Sequence, residues 1–140
     1  MEESEFQALK TKILGLIEKW FALLQLQGWR VTCEYYHDHI PDSHNSSDAL
    51  VVPATSTSWW QYKTILIRWN MNQLTKETEN SLDEMVCHEL LHGVVSELQE
   101  WRDDPPNGIK HEERVVTELS HIILALARTT KEEPNENPPS

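Results

Sequence analysis

The sequence predicts an α+β domain in which one amphipathic helix precedes a small sheet and two further helices follow it. Apolar residues recur at helical spacing near the start, short alternating runs fill the middle, and helical spacing returns in the last third. A length of 140 residues suits a single domain with its own core. We expect this domain over residues 1–128, followed by a disordered tail over 129–140 that is rich in Glu, Pro and Asn.

The first helix is predicted from Ser4 to about Gln27, with Gly28 as a typical C-terminal stop. Its apolar residues are three or four positions apart, namely Phe6, Leu9, Ile13, Leu16, Ile17, Trp20 and Leu24. Glutamates flank this stripe and offset the few lysines, so packing against a core is favoured over contact with a membrane surface.

Three runs in the middle of the chain have the alternation or the β-branched content of strands: Trp29–Tyr36, Asp48–Thr55 and Tyr62–Trp69. Pro53 cannot donate to a ladder, so the second run is an edge strand or ends there. A polar connection, Ser56–Gln61, is expected to join the last two runs. The simplest assembly is an antiparallel or mixed sheet of three or four strands.

A second helix is predicted to begin at Ser81, which with Glu84 has the spacing of a capping box. Its apolar stripe comprises Cys87, Leu91, Val94, Leu98 and Trp101. The segment 103–108, with two consecutive prolines, is expected to end this helix.

This helix carries His88 and His92, which are four residues apart and therefore nearly one above the other. Two imidazole nitrogens placed in this way can bind one metal ion. Glu89 is rotated away from the pair and is directed at the open position of the ion, where a carboxylate can accept a proton from water. We therefore predict that Glu89 is the catalytic residue.

The last helix, from about Ile109 to Ala127, is predicted to supply the third ligand. Its inward face comprises Ile109, Val116, Leu119, Ile123 and Leu126. Glu112 shares that face, and a buried carboxylate is costly unless it is paired or binds a cation. Glu112 is therefore the predicted third ligand; Glu113, about 100° further round and more toward solvent, is the alternative. Two histidines and one carboxylate suit a single Zn²⁺ per chain with one open position.

The pattern of His88, Glu89 and His92 on one helix and Glu112 on the next resembles the gluzincin zinc metallopeptidases, and its length resembles that of the compact minigluzincins. This resemblance implies a zincin-like fold over residues 1–128, zinc bound by the two histidines and Glu112, and Glu89 as the general base in hydrolysis of a protein or peptide substrate. Thermolysin-like members have an aspartate four residues after the glutamate ligand, where it orients a histidine. Val116 occupies that position here, so a different residue must orient the histidine.

In gluzincins an extended substrate lies along a sheet edge, for which Tyr62–Trp69 and the run around Val51 are both candidates. Trp59 and Trp60 either line a binding groove or cover the sheet core, and the sequence supports both interpretations equally.

The formal net charge of −11 argues against nucleic acid or an anionic membrane as a partner. No cationic segment followed by an apolar run opens the chain, and no apolar stretch has the length of a membrane span. We therefore expect a cytoplasmic protein in which Cys33 and Cys87 are reduced. Compact proteins of this kind also occur among phage and prophage products.

Two other functions remain open. The first is a non-catalytic, zinc-stabilised protein-interaction or regulatory module, which would use the same fold to present Trp59, Trp60 and a sheet edge. A base beside an open metal position argues against it, because structural zinc sites are closed. The second is a metal-dependent hydrolase that acts on substrates other than peptides.

Overall fold

A computed structural model describes residues 1–41, 52–96 and 105–132, with the side chains of residues 112–129 in the last of these segments. The elements in chain order are α1 (Glu3–Leu23), β1 (Arg30–Tyr36), β2 (Ala54–Trp59), a 3₁₀ turn (Trp60–Tyr62), β3 (Thr64–Asn70), α2 (Met71–Leu74), α3 (Glu79–Val95) and α4 (Pro105–Glu132). The predicted α+β class is confirmed. No helix among the described residues is both long and apolar enough to cross a bilayer.

The sheet is mixed and has the strand order β1-β3-β2 within the described part of the chain. β1 runs parallel to β3, and β2 runs antiparallel to it. β3 is therefore paired on both sides, and the prediction that Tyr62–Trp69 forms a free edge is wrong. The other predicted edge is the run around Val51. Its residues 48–51 lie outside the described part of the chain, whereas Ala54 and Thr55 belong to β2, which is at an edge of the sheet within the described residues.

β2 occupies a segment that the sequence had suggested was a connection. The strand runs from Ala54 to Trp59, whereas the prediction ended a strand at Thr55 and placed a polar loop after it. The hydroxyl-bearing residues of this segment pair with the apolar β3, and Ser56 Oγ donates to the carbonyl oxygen of Glu89 at 3.1 Å. β2 also contacts α3. Strand formation depends on packing against neighbouring elements as well as on composition, which is why the polarity of this run misled the prediction.

The core lies between one face of the sheet and the helices. Ile65, Ile67 and Trp69 of β3 are completely buried, as are Ile13 and Trp20 of α1. α3 is central, since it contacts α1, α4, β2 and β3. α3 is the motif helix, which carries His88, Glu89 and His92, and it is thus held from several sides.

The end of α1 and the start of α3 differ by a few residues from the prediction. α1 ends at Leu23 rather than near Gln27, because the chain turns through Gln25 at a φ of +54°. α3 begins at Glu79, where Thr78 is the N-cap and its Oγ1 accepts from the N–H of Ser81 at 3.1 Å. The predicted capping box at Ser81 is therefore wrong by one turn.

The predicted apolar stripe of α3 is also only partly correct. Cys87 and Leu91 are buried, but Val94 is 44% exposed. Gly93 is buried instead, close to the side chain of Ile65. The helix therefore approaches the sheet through a residue without a side chain, which an apolar pattern cannot reveal. The end of the stripe, at Leu98 and beyond, lies outside the described residues.

α4 begins at Pro105, inside the segment predicted to be a helix stop. Proline is favourable in the first turn of a helix, where its missing N–H has no partner to lose. The inward face includes Val116 and Leu124, but Leu126 is 64% exposed, contrary to the prediction. The helix continues to Glu132 and so includes residues 129–132, which the sequence assigns to the tail.

Candidate metal centre

The two histidines of α3 face each other where this helix packs against α4. The Nε2 atoms of His88 and His92 are 3.2 Å apart, and the rings meet edge to face at 76°. Their side chains are 21% and 18% exposed, so both rings are largely buried. This arrangement follows from their spacing of one helical turn.

α4 brings the carboxylate of Glu113 across this pair. Its Oε1 lies 2.9 Å from Nε2 of His88, and its Oε2 lies 2.9 Å from Nε2 of His92. Ligand atoms from the three residues all lie within 4.8 Å of one another, which makes them a group that could hold a metal ion. The side chain of Glu113 is 56% exposed, so the group opens to solvent on this side.

The donor set and its spacing suit zinc. Imidazole nitrogen and carboxylate oxygen are both ordinary zinc ligands, and a tetrahedral site with ligand atoms about 2.0–2.1 Å from the ion places neighbouring ligand atoms about 3.3 Å apart. The separation of 3.2 Å between the two histidine nitrogens is close to that value. Three protein ligands leave one position of a tetrahedron open, as in hydrolytic rather than structural zinc sites.

Glu112 lies on the opposite side of His92 from this group. Its Oε1 is 3.0 Å from Nδ1 of His92, and its side chain is only 6% exposed. The prediction that Glu112 is buried is confirmed, but its carboxylate contacts the rear nitrogen of the ring. The geometry therefore favours the alternative ligand, Glu113, over the sequence-based preference for Glu112.

The reason lies in how the two helices meet. Successive residues of a helix point about 100° apart, so Glu112 and Glu113 approach α3 from different directions. Glu112 enters the core beside Val116 and meets His92 from behind, whereas Glu113 reaches around the exposed side to both imidazoles. The burial of Glu112 is therefore a consequence of its contact with Nδ1 of His92 and does not indicate a ligand.

The charges of this site are strongly coupled. Burial opposes protonation of His92, but its contacts with Glu112 and Glu113 outweigh that effect and raise its pKa to about 10. The hydrogen bonds from His88 and His92 hold the pKa of Glu113 well below its usual range. The metal-free site therefore pairs the imidazolium of His92 with the ionised carboxylate of Glu113 at neutral pH.

Glu89 is the third carboxylate of the region and is 7% exposed. Burial raises its pKa, while the neighbouring His92 and His88 oppose that shift. Glu89 is not a member of the group that could hold an ion. Glu89 thus interacts electrostatically with the two histidines without belonging to the possible ligand group. This is the environment expected of a residue that carries a proton.

Ser56 is a contributor to this region that the sequence did not indicate. Its hydroxyl, on β2, holds the peptide carbonyl of Glu89 and so connects the sheet to the motif helix. The signal in the sequence is the run of Thr and Ser residues before Trp59. In this run a β-branched residue recurs at every second position, which is compatible with a strand despite the polarity of the side chains.

The chain was compared with protein-family models, with curated proteins and with solved structures, and none of them matches it.

Proposed function

We propose that this protein is a zinc-dependent metallopeptidase, with His88, His92 and Glu113 as the metal ligands and Glu89 as the general base. The observation that carries the proposal is the convergence of Glu113 on both Nε2 atoms at 2.9 Å. Two histidines and a carboxylate from separate helices meet at one point, and a buried acid follows the first histidine in the chain.

Zinc held by these residues would supply a Lewis acid that polarises the scissile carbonyl and makes water a better nucleophile near neutral pH. Glu89 accepts a proton from the attacking water while the oxygen of that water forms a bond with the carbonyl carbon. The same carboxyl then gives that proton to the amine nitrogen as the carbon–nitrogen bond breaks. A carboxyl whose pKa is raised by burial suits both transfers, because it holds the accepted proton more readily than an exposed carboxyl does.

The order of the elements supports membership of the gluzincin group within this proposal. A helix, a small sheet, a motif helix and a glutamate-bearing helix follow one another along the chain, as that resemblance implies. The ligand would be Glu113, one residue later than the sequence suggested, so the position four residues after the ligand becomes Thr117 rather than Val116. Neither residue is the aspartate of thermolysin-like members.

An extended peptide would be held along β2. This strand is at an edge of the sheet within the described residues, and it contacts α3. Its Ser56 touches the peptide group of Glu89, so a backbone paired with β2 would lie close to the proposed base. Pairing of this kind recognises the main chain and is tolerant of side chains.

A non-catalytic interaction module is the second candidate, and one observation favours it. Trp59 is 44% exposed and Tyr62 is 80% exposed near the end of β2. Large exposed aromatic side chains are common at protein interfaces. The same zinc site would then have a structural role, and Glu89 would have no chemical one.

Hydrolysis of a random peptide library by the zinc-loaded protein, followed by mass spectrometry, separates the two functions. We expect cleavage that a chelator abolishes and zinc restores. Glu89→Gln should bind one zinc per chain but lower the cleavage rate by a factor of about 10²–10⁴, the usual contribution of a general base. Glu79→Gln is the matched control, because Glu79 lies on the same helix with its side chain 83% exposed.

Three results would count against this proposal. A zinc-loaded protein that cleaves no peptide in the library would favour the interaction module. Cleavage that a chelator does not affect would remove the role of zinc. Full activity in Glu89→Gln would show that another group moves the proton.

A further inference from the structure

The metal ligand His92 has a buried carboxylate on its other ring nitrogen. Glu112 Oε1 lies 3.0 Å from Nδ1, while Nε2 of the same ring faces Glu113 and His88. An imidazole bound to a metal through one nitrogen keeps a proton on the other, and this N–H needs an acceptor. Glu112 is the acceptor that the structure provides.

The burial of Glu112 is the second observation. Its side chain is 6% exposed and lies on the core side of α4. A carboxylate in such a place is costly unless a charged or hydrogen-bonding partner compensates for its lost hydration. A solvent-exposed position on the same helix would carry a glutamate at much lower cost, so the placement of Glu112 calls for a role inside the protein.

We propose that Glu112 is a positioning residue for His92: it accepts the Nδ1–H hydrogen bond, selects the tautomer whose Nε2 lone pair faces the metal, and fixes the angle of the ring. This inference rests on the metal site of the proposed function. Two adjacent residues of α4 thus divide the work, with Glu113 binding the ion and Glu112 orienting a ligand of that ion. The arrangement also supplies the orienting carboxylate that is missing four residues after the ligand.

The first test is the rate at which zinc dissociates from the loaded protein into excess chelator. Protonation of the empty site changes the zinc affinity, but it does not change this rate, which depends only on the metal-loaded state. Loss of such a partner lowers metal affinity by about 10- to 100-fold, and we expect Glu112→Ala to release zinc faster than the wild type by about the same factor. Glu112→Gln keeps an acceptor oxygen without the charge, so its rate of zinc release should lie between those of the wild type and Glu112→Ala. Glu118→Gln, at a 66% exposed position of the same helix, should match the wild type.

The Nδ1–H proton of His92 in the zinc-loaded protein gives a second readout that a purely structural role would not change. In the wild type we expect a downfield, slowly exchanging imidazole proton by NMR. It should move upfield in Glu112→Gln and exchange rapidly in Glu112→Ala, while backbone amide shifts outside this region stay in place. These shifts also report whether each variant is folded.

The outcomes separate this inference from the function on which it rests. Wild-type release rates and an unchanged Nδ1–H signal in both Glu112 variants would overturn the positioning role and leave the metallopeptidase proposal intact. A wild-type protein that binds no zinc would overturn both. Equal loss of zinc in Glu118→Gln would also contradict the role, because the effect would then come from the charge of α4 as a whole.

Discussion

The Nε2 atoms of His88 and His92 lie 3.2 Å apart, and one carboxylate spans both of them. The proposed ligand atoms are thus already at separations near those of a tetrahedral zinc site. We therefore expect metal binding to require the loss of a proton more than a rearrangement of the chain. The first two predictions follow from that relationship.

Zinc binding should release about one proton per ion near pH 7.5, because His92 is protonated there and its Nε2 must give up hydrogen to bind a cation. Its pKa of about 10 means that this release persists well into the alkaline range. Calorimetric titrations in buffers of different ionisation enthalpy measure the number directly. Because a proton is released, the apparent zinc affinity should also rise with pH. A binding heat that does not depend on the buffer would contradict the prediction.

The metal-free protein should lose stability as the pH rises. Since the pKa of His92 is raised in the folded state from 6.5 to about 10, its contribution is fully present below 6.5 and disappears as the pH passes through about 10. The midpoint of urea unfolding at a series of pH values measures this loss. The zinc-saturated protein and metal-free His92→Gln should both show a weaker dependence. If stability falls with pH equally steeply in metal-free His92→Gln and in the metal-free wild type, His92 is not the group that causes the loss.

Gly93→Ala should destabilise the protein by about 1–3 kcal/mol, the usual cost of overpacking. A methyl group at this position would collide with Cδ1 and Cγ1 of Ile65. Gly15→Ala is the matched control, because nothing lies within 4 Å of a Cβ atom there and the position is an exposed one in α1. Glycine is a poor helix former, so that substitution should stabilise the protein by about 0.5–1 kcal/mol.

The unfolding midpoints in denaturant compare these glycine variants. Ile65→Val removes Cδ1, one of the two atoms in conflict, and should recover part of the loss in the Gly93→Ala background. Identical effects of alanine at the two glycines would show that helix propensity, rather than the approach of α3 to the sheet, is what matters.

Asp83→Ala should destabilise the protein by about 1–3 kcal/mol, because it leaves a buried donor without a partner. Asp83 Oδ1 accepts from Trp20 Nε1 at 2.7 Å, and Trp20 is completely buried. The same oxygen accepts from Lys19 Nζ at 2.8 Å, but that side chain is 33% exposed. Lys19→Gln should therefore cost less than about 1 kcal/mol. Thermal unfolding measures the loss of stability in both variants. A larger loss in Lys19→Gln than in Asp83→Ala would contradict the prediction.

The sequence predicted the features that depend on local spacing. One helical turn between His88 and His92 requires only a helix, and the burial of Glu112 requires only an amphipathic one. The choice between Glu112 and Glu113 depends on the rotation of α4 about its axis and on where it crosses α3. Tertiary packing sets both of these, and no residue pattern encodes them.

The sheet shows the same division between local and non-local information. The run up to Tyr36 alternates and forms β1 as predicted. β2 was misplaced because most of its side chains carry hydroxyl groups. One of these hydroxyls, on Ser56, contacts Glu89, which lies 33 positions away in the chain. The parallel pairing of β1 with β3 also brings together distant segments, which alternation alone does not specify.

Zinc titration of the metal-free protein in competition with a chromophoric chelator tests the central assignment most directly. One zinc should bind per wild-type chain, and Glu113→Gln should weaken its binding by more than about 100-fold, beyond the 10- to 100-fold range for residues that only orient a ligand. Glu89→Gln should still bind one ion per chain. Wild-type affinity in Glu113→Gln, or no zinc binding by the wild-type chain, would contradict a site built from His88, His92 and Glu113.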